Sequence, residues 1–270
     1  MSLLQALILA LVQGLTEFLP VSSSGHLALL GKLVGLNEPD INFDITIHLA
    51  TLFAVVFYYR KDLYYLVVNF FSWFKEKNGN GGLDFADNPV KFLLYVIAAS
   101  VPTGIIGLYL KDKVEYLHSN LKIVGICFLI TAFFLLVASF IQKKGKSKRL
   151  LAVSILIPFL IGIAQGLAVM PGISRSGATI TVALLFGISA EDSAEFSFLI
   201  SIPAILGAFL LKAGDISASL LSLPYIVGFV VALIVGVFSI KAVEFIVKKM
   251  KLAYFSFYLI FVAVLSFLVG

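Results

Sequence analysis

Apolar runs of roughly membrane-spanning length recur along this chain, and two pairs of them are cut short by a proline followed by serines and glycine. That interruption constrains the fold more than any other feature. A helix needs about 20 apolar residues to cross a bilayer core. Residues 3–19 stop at Pro20, and the run that follows, residues 25–36, is shorter still. Neither spans comfortably alone. Two short helical segments around a Pro and Ser-Gly break predict a re-entrant hairpin, tolerated at membrane depth only where protein or a water-filled cavity surrounds the broken backbone. Composition supports the membrane reading. The chain is 60% hydrophobic and 13% charged, whereas soluble domains are about half apolar and a quarter charged.

Full spans are expected at residues 41–59, 89–110, 121–141, 194–211, 221–240 and 252–269. A second interrupted pair lies at residues 150–170, which stop at Pro171, and 174–186. The predicted fold is therefore all-α: a polytopic membrane protein with about six full transmembrane helices and two re-entrant helical hairpins. Residues 62–88 read as a loop with one amphipathic stretch, 63–74, and a linker, Asn78-Gly-Asn-Gly-Gly82.

The interrupted pairs also repeat in letters. Gln13-Gly-Leu and Gln165-Gly-Leu each precede a proline, and each proline precedes Ser-x-Ser-Gly, at Ser22 to Gly25 and Ser174 to Gly177. The offset is 151 to 152 residues. Residues 1–142 and 150–270 then form two repeats joined by the basic linker 143–149. A hairpin plus three spans per repeat inverts the second against the first. Paired interrupted segments in two such halves point to a site near the midplane.

The basic residues fit this count. Fourteen of the 20 lie in the three connectors assigned to the inside, five on the other side (Lys32, Lys111, Lys113, Lys122 and Lys212), and Arg175 within the second motif. By the positive-inside rule, both termini face outside. The net charge of +5 therefore reflects headgroup-facing connectors, and no nucleic-acid partner is expected. No Lys or Arg precedes the first apolar run, so it is read as part of the mature protein rather than a signal peptide. Cys127, the single cysteine, lies in an apolar run and has no intrachain disulfide partner.

Gln13 and Glu17 are four apart on a helix and present on one face. Ser22, Ser23 and Ser24 sit where the next helix starts, and a helix N-terminus binds anions through free N–H groups and its dipole. His26 shares their face. The second motif repeats the Ser/Gly start with Ser174, Ser176, Gly177 and Thr179, and adds Arg175, a permanently charged fork suited to phosphate. Taken singly, each residue has an ordinary explanation: a pore-lining carboxylate, helix caps, a structural Glu17–Arg175 ion pair. Duplicated at two helix breaks, they suit a diphosphate, with Glu17 able to share a divalent cation with phosphate oxygens and His26 available as acid, base or nucleophile. Asp44 and His48, also four apart, offer either a further metal ligand and supporting polar groups or plain interface polarity. Glu191, Asp192 and Glu195 read as a solvated acidic face, and His118 as an exposed loop residue.

The stretches Gln13-Gly-Leu-Thr-Glu17-Phe-Leu-Pro20-Val-Ser22-Ser-Ser-Gly25-His26 and Pro171-Gly-Ile-Ser174-Arg-Ser-Gly177-Ala-Thr179 resemble the two signature motifs of the bacterial undecaprenyl-diphosphate phosphatases, also called bacitracin-resistance proteins. Phe43-Asp-Ile-Thr-Ile-His48 and Glu195-Phe-Ser-Phe-Leu extend the similarity along the chain. The resemblance implies removal of the terminal phosphate of undecaprenyl diphosphate, a polyprenyl lipid carrier for peptidoglycan and other envelope polymers, and hence resistance to bacitracin. It implies a divalent cation, Mg or Ca, and a multi-pass protein of the bacterial cytoplasmic membrane with its site opening to the outer side; a homodimer is a further expectation. It makes Glu17, Ser23, His26 and Arg175 the catalytic set, with Ser22, Ser24, Gly25, Ser174, Ser176, Gly177 and Thr179 around the phosphate. Glu17 would hold the metal, with Gln13 and Asp44 as weaker candidates. The family often has Glu where this chain has Gln13, which leaves the anionic role to Glu17. Inverted repeats with broken helices are also transporter architecture, so a lipid-phosphate transporter or flippase is the alternative.

Overall fold

The computed structural model describes residues 1–36, 40–75, 88–142, 148–212, 222–249 and 252–270. They are helical throughout, with no strand among the described residues; Lys148 and Ile188 form an isolated bridge. The glycine-rich linker at 78–82 and the basic residues 143–147 lie outside the described residues.

The chain opens with the predicted short pair, α1 (Leu3–Thr16) and α2 (Ser23–Leu33). Fourteen and 11 residues rise about 21 and 17 Å at 1.5 Å each, well under a hydrocarbon core of about 30 Å. Ser2 and Gln5 start α1 with a reciprocal capping box. The helix ends at Thr16, three residues ahead of the last residue that Pro20 would permit, because the turn at 17–20 sets the proline apart. Next come α3 (Ile41–Tyr58), α4 (Arg60–Lys75), α5 (Pro89–Ser119) and α6 (Leu121–Gln142). Asp40 caps α3 and Asn88 caps α5, whose first residue is Pro89. The amphipathic stretch expected inside a loop is part of α4.

The second half supplies α7 (Leu156–Leu167), α8 (Arg175–Leu185), α9 (Ala190–Lys212), α10 (Leu223–Lys249) and α11 (Ala253–Val269). The apolar run 150–170 is not one helix. It begins with a 3-10 turn at Leu150–Ala152 that is pinned from outside: Asp192 accepts from the Leu150 N–H at 2.6 Å, Lys91 donates to the Leu151 carbonyl at 2.7 Å, and the Tyr95 hydroxyl to that of Val153. Asp192 is thus a cap rather than part of a purely solvated face.

Five helices, α3, α5, α6, α9 and α10, are long and apolar enough to cross a membrane. The sixth expected span, α11, has 17 residues and falls just short of that length. The protein is multi-pass. Large apolar side chains stand fully outward on these helices, Leu268 at 77% exposure and Phe238 at 71%, which a bilayer accommodates and water does not.

Packing crosses the midpoint of the chain. Helix α1 lies along α10, α7 along α5, and α6 along α11. The α1–α2 and α7–α8 hairpins meet between these pairs. A Cβ on Gly25 would stand 2.9 Å from the Gly172 Cα and 2.5 Å from the buried Phe128 ring, so only glycine permits this approach. Ser176 then donates to the Leu19 carbonyl at 3.0 Å, tying the start of α8 to the turn that follows α1.

Candidate active site

The centre of the junction is the Glu17 carboxylate. Glu17 ends α1, its N–H bonded to the Gln13 carbonyl at 2.9 Å, and its side chain is buried. Oε1 accepts from Arg175 Nη2 at 2.7 Å. Oε2 accepts from the Ser23 hydroxyl at 2.5 Å and from Gln13 Nε2 at 3.0 Å. The structure therefore brings Gln13, Glu17, Ser23 and Arg175 to one point, with the arginine contributed by the other half of the chain. Separating such a buried pair by removing one partner costs roughly 3–5 kcal/mol, because the remaining charge is left uncompensated.

Arg175 keeps capacity in reserve. Its Nη1 is buried and has no hydrogen-bond partner, a donor of the kind a phosphate oxygen satisfies. Both helix starts are built alike. Ser22 accepts from the Gly25 N–H at 3.4 Å and Ser174 from the Gly177 N–H at 3.0 Å. The second is braced by Thr131, whose hydroxyl lies 3.0 Å from the Ser174 N–H and 3.0 Å from the Gly172 carbonyl. The first is strained: Ser22 has φ +66°, the only non-glycine with positive φ among the described residues. Such conformations persist where surrounding contacts hold them, and they concentrate at functional sites.

His26 is one of those contacts. Its Nδ1 lies 2.8 Å from the Ser22 carbonyl, which only accepts, so Nδ1 carries the proton. Nε2 then accepts from the Tyr258 hydroxyl at 2.8 Å. The ring stacks on Tyr258 and meets Phe128 edge-on. Both nitrogens are thus engaged away from Glu17, Ser23 and Arg175. The Thr179 hydroxyl is similarly occupied, 2.9 Å from the Arg175 carbonyl and 2.6 Å from Ser197 Oγ. Ser24 and Ser176 each stand beside their own helix cap, 3.4 Å from Ser22 Oγ and 3.3 Å from Ser174 Oγ.

The Asp44–His48 pair divides. Asp44 meets His118, its Oδ2 3.9 Å from His118 Nε2. His118 is not an exposed loop residue: it lies in the last turn of α5 with its side chain 15% exposed. Burial, and then the neighbouring His48, push its pKa down to about 4. His48 instead turns toward the site, with Nε2 3.6 Å from Glu17 Oε2. Sequence reasoning weighed His48 only alongside Asp44. It gave no signal at all for Tyr258 or Thr131, an aromatic and a hydroxyl in otherwise apolar helices.

The model of the family described as bacitracin resistance protein BacA matches residues 6–265. A protein from Carboxydothermus hydrogenoformans named undecaprenyl-diphosphatase is 43% identical over 264 residues, which cover 96% of this chain and 94% of that protein. Undecaprenyl-diphosphatase 2 of Halalkalibacterium halodurans is 37% identical over 274 residues, 99% of this chain and 96% of its own length. Undecaprenyl-diphosphatase of Treponema denticola is 40% identical over 265 residues, 96% and 94%.

Proposed function

This chain belongs to the family of the bacitracin resistance protein BacA, and we propose that it is an undecaprenyl-diphosphatase: a membrane hydrolase that releases the terminal phosphate of undecaprenyl diphosphate and leaves undecaprenyl phosphate for reuse in cell-wall synthesis. Bacitracin resistance follows from the same turnover. The observation that carries the reading is the buried Glu17 carboxylate holding Ser23 on one oxygen and Arg175 on the other. A nucleophile, a base and a phosphate-binding cation are the parts that phosphoryl transfer requires.

In the mechanism we propose, the terminal phosphate lies against Arg175, whose unpartnered Nη1 takes a phosphate oxygen, and between the two Ser/Gly helix starts. Ser23 Oγ attacks phosphorus and its proton passes to Glu17 Oε2, with which it already shares a hydrogen bond. The bridging P–O bond breaks and undecaprenyl phosphate leaves. Water then hydrolyses the phosphoserine, releasing inorganic phosphate and restoring the hydroxyl. His26 acts on the turn itself, by holding the Ser22 carbonyl and with it the position of Ser23.

A divalent cation, Mg or Ca, is part of this reading. The donor set fits one: Glu17 supplies a carboxylate, and Gln13 Oε1 is a buried acceptor with no hydrogen-bond partner. Asp44, turned toward His118, lies outside that set. Among the described residues no three His, Cys, Asp or Glu side chains form a metal cluster, so the protein supplies a partial shell that phosphate oxygens and water complete. The bound cation would neutralise charge on the diphosphate. The proposed setting is the bacterial cytoplasmic membrane, with the two halves as inverted repeats and the site open to the outer side. Its support is the cross-midpoint packing of α1 with α10 and α7 with α5, together with the basic connectors.

The test is purified protein in detergent with undecaprenyl diphosphate and a divalent cation. Release of inorganic phosphate that stops with a chelator is expected. No release, with movement of the intact lipid diphosphate across a vesicle bilayer, would instead establish the transporter.

A further inference from the structure

Two unexplained features sit side by side in the site. One is Gln13 Oε1, fully buried and unpartnered. The other is the His48–Glu17 approach. His48 Nδ1 lies 2.7 Å from the Asp44 carbonyl. A carbonyl only accepts, so Nδ1 bears a proton and Nε2 is the ring nitrogen available to a cation. That nitrogen faces Glu17 Oε2 across 3.6 Å. A ring nitrogen and a carboxylate oxygen so placed can share one cation.

The separation suits a metal ion. A donor–acceptor distance of 3.6 Å is too long for a hydrogen bond, whose N···O range is about 2.7–3.2 Å. A proton alone leaves the gap open. A metal ion about 2.1 Å from both a nitrogen and an oxygen ligand, at a near-tetrahedral angle, holds those two atoms roughly 3.4 Å apart. The gap is within a few tenths of an ångström of that. Helix α3 also brings Thr51 to within 3.4 Å of Gln13 Nε2, so the same helix that carries His48 orients the Gln13 amide.

We propose that His48 is a direct ligand of the divalent cation, sharing it with Glu17; the Gln13 amide, whose Nε2 rather than Oε1 meets Glu17 Oε2, becomes a neutral third donor when it turns over. The inference rests on the diphosphatase reading and deepens it. In a chain whose first motif has Gln at position 13, the imidazole makes up the missing ligand. An imidazole also changes the preferred ion. Mg and Ca favour all-oxygen shells, whereas a nitrogen ligand moves affinity toward Mn and Zn.

The chain has three histidines, His26, His48 and His118, so a nitrogen bound to the metal can be assigned by elimination. Full-length protein in detergent is loaded with Mn²⁺ and examined by electron spin-echo envelope modulation for a directly coordinated imidazole ¹⁴N. The modulation is expected in the unsubstituted protein, in His26→Gln and in His118→Gln, and lost in His48→Gln. In that variant Mn²⁺ affinity falls about tenfold or more, and Mg²⁺ affinity much less. His48→Glu supplies an oxygen in place of the nitrogen. It is expected to bind Mn²⁺ without the modulation, which separates a lost ligand from a lost fold. Mn²⁺ bound without imidazole modulation, modulation that survives in His48→Gln, or no stoichiometric Mn²⁺ each overturns the proposal. Phosphate release by the unsubstituted protein is measured in parallel. Release without nitrogen coupling defeats the ligand assignment alone, and absence of release defeats the diphosphatase reading.

Discussion

The two Ser–Gly helix starts share a register and differ in what they carry. At an offset of 152, Gln13 matches Gln165, Ser22 matches Ser174, and Gly25 matches Gly177. Each serine caps its helix through the glycine N–H three residues on. The functional groups are not matched. Glu17 stands opposite Val169, Ser23 opposite Arg175, and His26 opposite Ala178. Even the glutamines diverge: Gln13 reaches a carboxylate, whereas Gln165 donates to Thr103 Oγ1 and the Ile200 carbonyl. Ser174 caps from ordinary extended backbone, while Ser22 caps from positive φ. The Ser/Gly helix start is thus present twice, but carboxylate, hydroxyl and strain belong to one copy and the guanidinium to the other. Neither copy is a site by itself.

Substitutions at the matched pair Ser23 and Arg175 test that division most strongly. Ser23→Ala is expected to lower kcat by about ten-thousand-fold or more, as loss of a nucleophile does, and to abolish the acid-stable phosphoserine sought after a rapid quench. Turnover within tenfold of the parent would move the attack to water. Arg175→Ala is expected to cost about a thousandfold or more in kcat/KM. It also leaves Glu17 buried without its partner, so Glu17→Gln/Arg175→Ala should recover thermal stability without recovering activity. Recovered activity would make the arginine a structural counter-ion only.

Glu17→Gln comes next, with an expected loss of roughly a hundred- to ten-thousand-fold for removal of a general base. It retains hydrogen bonding but neither takes a proton nor adds anionic charge for a cation. The counterpart change, Val169→Glu, adds a carboxylate to the second copy and is expected to restore nothing, because no matched serine faces it there. Rescue by Val169→Glu would show that the copies are interchangeable.

His26→Gln is expected to be smaller again, about ten- to a hundredfold, on the proposed role of holding the Ser22 carbonyl. If its role is to hold that turn, Tyr258→Phe, which removes the partner of Nε2, should move kcat in the same direction by less, with KM unchanged. A shift of the pH profile without change in the plateau rate would instead place His26 in proton transfer.

Much of this site could be read from the sequence, for a physical reason. Glu17, Ser23 and Arg175 each lie within a few residues of a helix break, and the duplicated break specifies which segments meet. The short helices and most spans follow from apolar run length in the same way. His48 was harder. It comes from a full span, and spacing alone did not show that Asp44 and His48, four residues apart, would turn to different neighbours. Tyr258 and Thr131 reach the site from α11 and α6 through tertiary packing that has no local pattern. The 3-10 turn at Leu150–Ala152 was hidden for a related reason, since its partners Lys91, Tyr95 and Asp192 are remote in sequence.

The smallest expected effect concerns stability and separates the two glycines. A Cβ at residue 25 meets the Phe128 ring at 2.5 Å and the Gly172 Cα at 2.9 Å. Phe128 is fully buried with His26 against its face, and the Gly172 backbone cannot retreat without opening the junction of the hairpins. Gly25→Ala is therefore expected to destabilise by about 1–3 kcal/mol, the usual cost of overpacking, and to reduce turnover by parting Ser23 from Arg175. At residue 177 the nearest atoms are the Ser174 Cβ at 3.0 Å and Oγ at 3.1 Å, then the Pro20 Cβ at 3.5 Å. The serine must give by a few tenths of an ångström, and the gain of about 1 kcal/mol for Ala over Gly in a helix offsets that strain. Gly177→Ala should accordingly leave the melting temperature in detergent nearly unchanged. Equal losses in the two variants would mean that the hairpins meet symmetrically, and that the close approach at Gly25 is not what sets the distance between the halves of the site.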